Sequence, residues 1–491
     1  MKLKQFAKDS AIYGGADLIT SILYFFSFPI IAAALSSKAF GALELILTFT
    51  GLFGLVMNFG LNHAVQRFYW DKDTNSSTQS TIIISGFCAQ LGFGFVAILL
   101  GLAATLLVLP LIQANNWPLT WLALVAAVLV MALTQWYQYI LDVLRLKFAP
   151  WKFFTLTLIT KVVTIGFGLL AILVLNLGID GLLVAQMLVL LLVSPLALQF
   201  IRQDLQAGKV TILWMKKLLE FGSPFIFVSL AYWLFGAMDR WMLASMTTIE
   251  EVGVYSVAFR FVSAVVFVSA AFGKAWAPVV FKLQKDYPDQ YRAIYGKVLL
   301  FFLFFMLTIG GGLALFSGEI ISLIMPAEYH ASAIPLSILC FGVIIQSMQQ
   351  VTAVGISLEK KTYLFARLAW LTAAVNFVAN WLLIPSFGAA GAAWGTLISY
   401  ITLTGSYFFY TQKYHPLVVN WRNLISIMLL GTLMAIISII YINIDLNFYI
   451  IYFKIFFVFV YLIIGWMILP IEFLKKYNKK IKILNLNLKK N

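Results

Sequence analysis

Cysteine, histidine and charge are all scarce in this 491-residue chain, which has 2 Cys, 3 His and 11% Asp, Glu, Lys and Arg. Soluble domains are about 25% charged, so the charge content alone excludes an ordinary globular protein. Cys88 and Cys340 both fall in apolar runs, which excludes a disulfide framework and a thiolate metal cluster. His63, His330 and His415 are scattered without metal-ligand spacing. A Walker A lysine motif is missing, and with it any sign of ATP hydrolysis. "GFGFVA" (Gly92 to Ala97) and "GFGLLA" (Gly166 to Ala171) fit G-x-G-x-x-A, but each lies in an apolar run, not at a strand-to-helix turn. No nucleophile–base arrangement stands out, and the longest loops, about 17 to 20 residues, leave no room for a catalytic domain. Neither an enzyme nor a bound cofactor is expected.

What the chain has in excess is apolar sequence, 62% of it. A helix needs about 20 such residues to cross a hydrocarbon core. Fourteen runs of that kind lie near 11–35, 39–63, 81–110, 118–141, 152–176, 178–201, 218–246, 250–274, 294–325, 331–357, 361–385, 388–412, 422–442 and 446–470. The first is too long for a signal-peptide core and has no small-residue cleavage site after it. The fold class expected is therefore an all-α polytopic membrane protein with about 14 transmembrane helices.

With a cytoplasmic N-terminus, 29 of the 34 Lys and Arg residues fall on the cytoplasmic side. Only Lys38 lies in an outer loop, and Lys161, Arg240, Arg260 and Lys454 lie within spans. That bias follows the positive-inside rule and places both termini in the cytoplasm. The net charge of +15 is thereby explained by topology and membrane lipids, without nucleic acid. The terminal "KKYNKKIKILNLNLKKN" reads as a basic juxtamembrane anchor, and Asn75-Ser76-Ser77, formally a glycosylation triplet, falls on the inner side.

Two landmarks recur. "SSKAFGALE" (Ser36 to Glu44) and "TTIEEVGVYS" (Thr247 to Ser256) open the second and eighth spans, with Gly41 and Gly253 212 positions apart. "LGIDGLLVAQ" (Leu177 to Gln186) and "FGAAGAAWGT" (Phe387 to Thr396) join the fifth to the sixth and the eleventh to the twelfth, with Gly178 and Gly388 210 apart. A duplication of six spans gives an N-lobe of residues 1–210 (helices 1–6), a C-lobe of 211–415 (helices 7–12) and an appended 416–491 with two more helices and the basic tail. Related halves put a substrate site near the midplane. The expected architecture is two pseudo-symmetric six-helix lobes around a central polar cleft.

Polar residues within spans fall into stripes at helical spacing. The first span carries Ser10, Tyr13, Asp17, Thr20, Tyr24 and Ser27; the second Gly41, Glu44, Thr48, Gly51, Asn58 and Asn62. The fifth adds Thr157, Lys161, Thr164 and Gly168. The seventh carries Ser229, Tyr232, Gly236 and Arg240, and the eighth Gly253, Ser256, Arg260, Ser263 and Lys274. Small and hydroxyl residues also serve simple close packing in lipid. Charges do not, because an Asp or Arg at a helix centre costs roughly 2.5–3.5 kcal/mol. Asp239 and Arg240 point about 100° apart on a helix, so each needs a partner of its own. Three uses remain open for these charges: a buried network that fixes geometry, an anion site gripped by Arg240 and Arg260, or a proton or cation site at Asp239, Asp17 or Glu44.

The segment from Glu220 to Phe281 contains Gly222-Ser223-Pro224, Asp239-Arg240, Glu251-Val252-Gly253-x-Tyr255-Ser256 and Ala275-Trp276-Ala277-Pro278. With these motifs it resembles the seventh and eighth helices of polysaccharide flippases of the multidrug/oligosaccharidyl-lipid/polysaccharide (MOP) exporter superfamily. "PSFGAAGAAWGTLISY" (Pro385 to Tyr400) resembles the family's hairpin between helices eleven and twelve, and "SAIYGGADLI" (Ser10 to Ile19) its opening helix more loosely. It covers about residues 5–412, and the last two spans depart from the commoner twelve-helix form.

The resemblance implies a flippase that moves a polyprenyl-pyrophosphate-linked oligosaccharide to the outer leaflet of a bacterial plasma membrane for O-antigen, capsule or exopolysaccharide. A polysaccharide polymerase and a chain-length regulator are the partners it implies besides the cargo and membrane lipids. Arg240, Arg260, Lys161, Lys274, Tyr24 and Tyr232 are then the candidates for the pyrophosphate and glycan, and Asp17, Glu44 and Asp239 those for coupling or salt bridges. A cation-coupled multidrug exporter of the same superfamily would need a carboxylate-dominated cavity. A non-transporting scaffold of a polysaccharide assembly complex would not need polar stripes in both repeats.

Overall fold

A computed structural model describes residues 3–71, 75–114, 116–359, 361 and 363–470; the basic tail from 471 on lies outside them. Among these residues the chain is helical without strands. The helices are α1 (Leu3–Ala34), α2 (Ser37–Asn58), α3 (Leu61–Tyr69), α4 (Ser76–Ala114), α5 (Trp121–Leu146), α6 (Pro150–Leu169), α7 (Gly178–Ala207), α8 (Ile212–Met246) and α9 (Ile249–Asp286). Then come α10 (Tyr291–Leu315), α11 (Ser317–Ile324), α12 (Ala333–Ser347), α13 (Gln349–Thr352), α14 (Val354–Leu358), α15 (Tyr363–Tyr414), α16 (Trp421–Ile440) and α17 (Phe448–Ile468). Among the described residues thirteen helical stretches are long and apolar enough to cross a membrane. One of them, α15, is two helices joined at the non-helical Gly388 (φ 53°, ψ −132°), which gives the fourteen spans expected from the sequence. The chain is a multi-pass helical membrane protein.

Backbone groups in a bilayer must be satisfied internally, which is why helices are the spanning element here. Side-chain caps fix several starts: Ser36 Oγ accepts from the Ala39 amide, Thr120 Oγ1 from Ala123 and Thr211 Oγ1 from Trp214. The glycines that mark the repeat are required by geometry. Gly178 and Gly388, equivalent in the two halves, both adopt a left-handed φ (57° and 53°), which side chains rarely tolerate. Gly41 and Gly253 pack against each other's helix starts: a Cβ on Gly41 would run into the Ile249 carbonyl, and one on Gly253 into the Ser37 carbonyl.

The helices form two compact units, Met1–Val257 and Ala258–Asn491, with the division inside α9. In the first, α7 packs on α5 and α6, α6 on α1, and α2 on α4, α5 and α8. Its core includes the fully enclosed Leu61, Ile82, Ile83, Leu156 and Leu218. Phenol groups inside it are bonded: Tyr139 donates to the Ile83 carbonyl at 2.7 Å and Tyr137 to that of Leu156 at 2.9 Å.

In the second unit, α12 is enclosed by α10, α15 and α16, and α17 packs on α10 and α16. The last two helices are fastened by polar pins. Ser438 and Ser337 hydroxyls meet at 2.8 Å, and Lys454 Nζ donates to both Glu319 oxygens at 2.7 and 2.8 Å. Asn443 adds a bond to Glu319 at 3.2 Å.

The structure departs from the sequence reading in three spans. The run at 294–325 divides at Phe316 into α10 and α11. The run at 39–63 bends at Phe59 and Gly60, both left-handed (φ 45° and 71°), so α2 gives way to α3 there. The run at 331–357 is broken into α12, α13 and α14. Thr404 Oγ1 donates to the Ile345 carbonyl at 3.1 Å and accepts from Gln349 Nε2 at 3.2 Å, inserting a side chain at the break.

Candidate functional site

The charges that opened the question lie where α2, α8 and the start of α9 meet, inside the first unit. Three rungs descend from the helix starts. The first is the Gly41–Gly253 contact described above. One turn further along α2 and α9 come Glu44 and Ser256, and both reach Arg240 of α8. Arg240 Nε donates to Ser256 Oγ at 3.3 Å and stands 3.5 Å from Glu44 Oε2, while Nη1 donates to the Gly236 carbonyl at 2.9 Å. Its Cζ lies 5.8 Å from the Tyr255 ring centre. Only 8% of the Arg240 side chain and 5% of Glu44 remain exposed, so this is a desolvated ion pair. The third rung is Thr48, whose hydroxyl accepts from Trp241 Nε1 at 3.0 Å and whose carbonyl accepts from Trp233 Nε1 at 3.1 Å.

Asp239 takes a separate partner, as its angle on the helix requires: Tyr255 donates its hydroxyl to Asp239 Oδ2 at 2.6 Å. Neighbours 239 and 240 on α8 thus pair with neighbours 255 and 256 on α9, across the hairpin at Thr247. Glu44 and Ser256 occupy equivalent places in the sequence repeat, so Arg240 is gripped by one residue from each copy. The chemistry is that of a latch. The contact to Glu44 at 3.5 Å and the hydrogen bonds at 2.9 and 3.3 Å hold the cation between the three helices.

The other candidates are placed as follows. Asp17 stands 3.7 Å from Arg145, a residue the sequence reading passed over as a loop cation. Lys161 on α6 is exposed, as are Tyr24 on α1 and Tyr232 on α8. Arg260, half-buried, and Lys274, exposed, lie on the part of α9 that belongs to the second unit. Sequence reasoning also missed Trp233, Trp241 and the Glu319–Lys454 pair. Lys454 had a signal, being a lone cation in a span, but Glu319 sits 135 positions earlier with nothing to match them. Among the described residues no three His, Cys, Asp or Glu side chains gather as a metal site.

Residues 6–284 match the family described as "Polysaccharide biosynthesis protein". The chain is 22% identical over 284 residues to the "Probable low-salt glycan biosynthesis flippase Agl15" of Haloferax volcanii, covering 57% of this chain. The match spans 60% of that relative, less than two thirds of its length. The fold is similar to that of the lipid II flippase MurJ in an inward closed conformation, with a TM-score of 0.72 at 14% identity over 94% of this chain and 99% of that one. It is similar to an inward-facing multidrug resistance MATE family transporter of the MOP superfamily, with a TM-score of 0.55 at 15% identity over 80% and 94%. At such identities the likeness shows the fold alone. Since the family match spans more than half of the sequence, the chain belongs to the polysaccharide biosynthesis protein family.

Proposed function

We propose that the protein is a flippase for a polyprenyl-pyrophosphate-linked oligosaccharide, carrying it from the cytoplasmic to the outer leaflet of a bacterial plasma membrane for surface polysaccharide assembly. The observation that carries this reading is the latch at Glu44, Arg240 and Ser256. It joins equivalent helices of the two repeats through polar contacts instead of a continuous apolar seam. With a cytoplasmic N-terminus, the starts of α2 and α9 face outward, so the latch closes the outer end. Opening it exchanges buried polar contacts for hydrated ones, which is how a pathway closed on one side becomes open on the other.

The cargo fits such a path, having a lipid tail, an anionic pyrophosphate and a polar glycan. Arg260, Lys161 and Lys274 serve the anion, and Tyr24 and Tyr232 the sugars. An ion gradient or the membrane potential drives the cycle, the latter supplying about 2.3 kcal/mol per charge per 100 mV. A polysaccharide polymerase and a chain-length regulator act on the delivered units. Export of cationic drugs fits less well, because the buried carboxylates of Glu44 and Asp239 already engage Arg240 and Tyr255.

Arg240→Ala and Arg260→Ala test the reading in cells, with membrane insertion verified. Each should abolish surface polysaccharide and leave lipid-linked precursor on the inner leaflet. Wild-type export in both variants refutes it.

A further inference from the structure

Arg145 closes α5 at the end that the expected topology places in the cytoplasm. It lies among side chains of three helices. Its Nη1 donates to Asp142 Oδ1 at 3.3 Å, and Nη2 stands 3.7 Å from Asp17 Oδ1 of α1, beyond hydrogen-bond length. Its Cζ lies 4.6 Å from the centre of the Phe153 ring of α6. That ring is itself buried and met edge-on by Tyr13 at 5.1 Å. The guanidinium is therefore positioned over the ring by protein before any ligand arrives.

Its hydrogen bonding is nevertheless largely unmet by the described residues. A guanidinium has about five N–H donors. Among the described residues Arg145 makes one hydrogen bond, and 43% of its side chain is exposed. Its neighbours differ. Lys147, two positions on, is clamped to Asp204 at 2.7 Å, and Arg240 is enclosed by three partners. Asp142, on its other side, also accepts from Gln138 Nε2 at 3.0 Å, so its carboxylate is shared. The pairing with Asp17 is the weak one.

We infer that Arg145 is the intake site for a lipid-borne pyrophosphate, and that the anion displaces Asp17 from it. A pyrophosphate presents paired oxygens to the guanidinium fork, a bidentate geometry that the 3.7 Å contact with Asp17 lacks. Displacement also severs a tie between α1 and α5. What remains between those helices near Arg145 includes the long 3.5 Å bond from the Tyr13 hydroxyl to the Leu144 carbonyl. Loading of the inner mouth thereby loosens α1 from α5 while leaving the packing of α1 on α6 in place. The identity of the natural ligand rests on the flippase reading; the site itself does not.

The test is binding of farnesyl pyrophosphate to the purified full-length protein in phosphatidylcholine nanodiscs, with wild type, Arg145→Gln and Asp17→Asn. Arg145→Gln should weaken binding at least tenfold, and Asp17→Asn should tighten it severalfold by removing the competitor. A merely structural ion pair predicts that both variants shift in the same direction or not at all, and either result overturns the inference. The series is repeated in phosphatidylglycerol nanodiscs. If bulk anionic lipid erases the difference between wild type and Arg145→Gln, the site belongs to headgroup phosphate and the pyrophosphate assignment fails. Unchanged flipping of lipid-linked oligosaccharide by Arg145→Gln would overturn this inference and leave the flippase reading standing. Binding as expected without any flipping would do the reverse.

Discussion

Arg240 and Arg145 are the same side chain in the same unit, yet one is enclosed and the other is 43% exposed. Arg240, enclosed beside Glu44, cannot lose its partner cheaply. Removing one member of a buried pair leaves an uncompensated charge and costs about 3–5 kcal/mol, whereas replacing both can be close to neutral. Arg240→Gln should therefore lower the melting temperature of the detergent-purified protein more than the double variant Glu44→Gln/Arg240→Gln does. With Glu44→Gln completing the double-mutant cycle, a double loss equal to the sum of the two single losses would mean that the pair is not coupled. That Arg240 was special could be read from the sequence, because a full charge in an apolar run demands a partner. The angle between Asp239 and Arg240 also foretold separate partners. Which partners could not be read: Trp241 and Thr48 are 193 positions apart, and no periodicity links an indole to a threonine. Arg145 was hidden for the opposite reason, since a cation at a helix end looks like ordinary topology.

Helices in lipid associate by shape, so small residues decide where they cross. The Gly41–Gly253 crossing allows no Cβ on either side, whereas a Cβ on Gly236 of α8 would meet nothing within 4 Å. Gly253→Ala should therefore cost about 1–3 kcal/mol of packing, as overfilled sites do. Gly236→Ala should be neutral or slightly stabilising, because alanine suits a helix better. Thermal melts of both variants, with surface polysaccharide as the functional readout, check this. Equal behaviour would contradict the close approach.

The repeat made these positions legible, since glycines at matching offsets opened matching helices and turned matching hairpins. It gave no hint of the broken span at 331–357, because the Thr404 hydroxyl that opens it comes from α15. Nor did it locate the anchor of the last two helices. Lys454, completely enclosed, reaches Glu319 in a short helix that sequence patterning had merged into the ninth span.

At the scale of the molecule, the apolar runs, the charge bias and the duplication sufficed to identify a multi-pass helical membrane protein built on a repeat. The division into two compact units inside α9 could not be read from them, since it follows from three-dimensional packing. The proposed function rests on a polar latch between equivalent helices and on the proposal that Arg260, Lys161 and Lys274 handle an anionic lipid-linked cargo. Its central claim is transport of that cargo, and reconstitution tests it most directly. The purified protein is placed in proteoliposomes with a fluorescent polyprenyl-pyrophosphate-linked oligosaccharide, and appearance of the label on the opposite leaflet is followed by quenching. Flipping well above the rate in protein-free vesicles, and lost with Arg240→Ala, is the predicted result. Label that crosses no faster than in protein-free vesicles, while the same proteoliposomes export a cationic dye, would contradict the account.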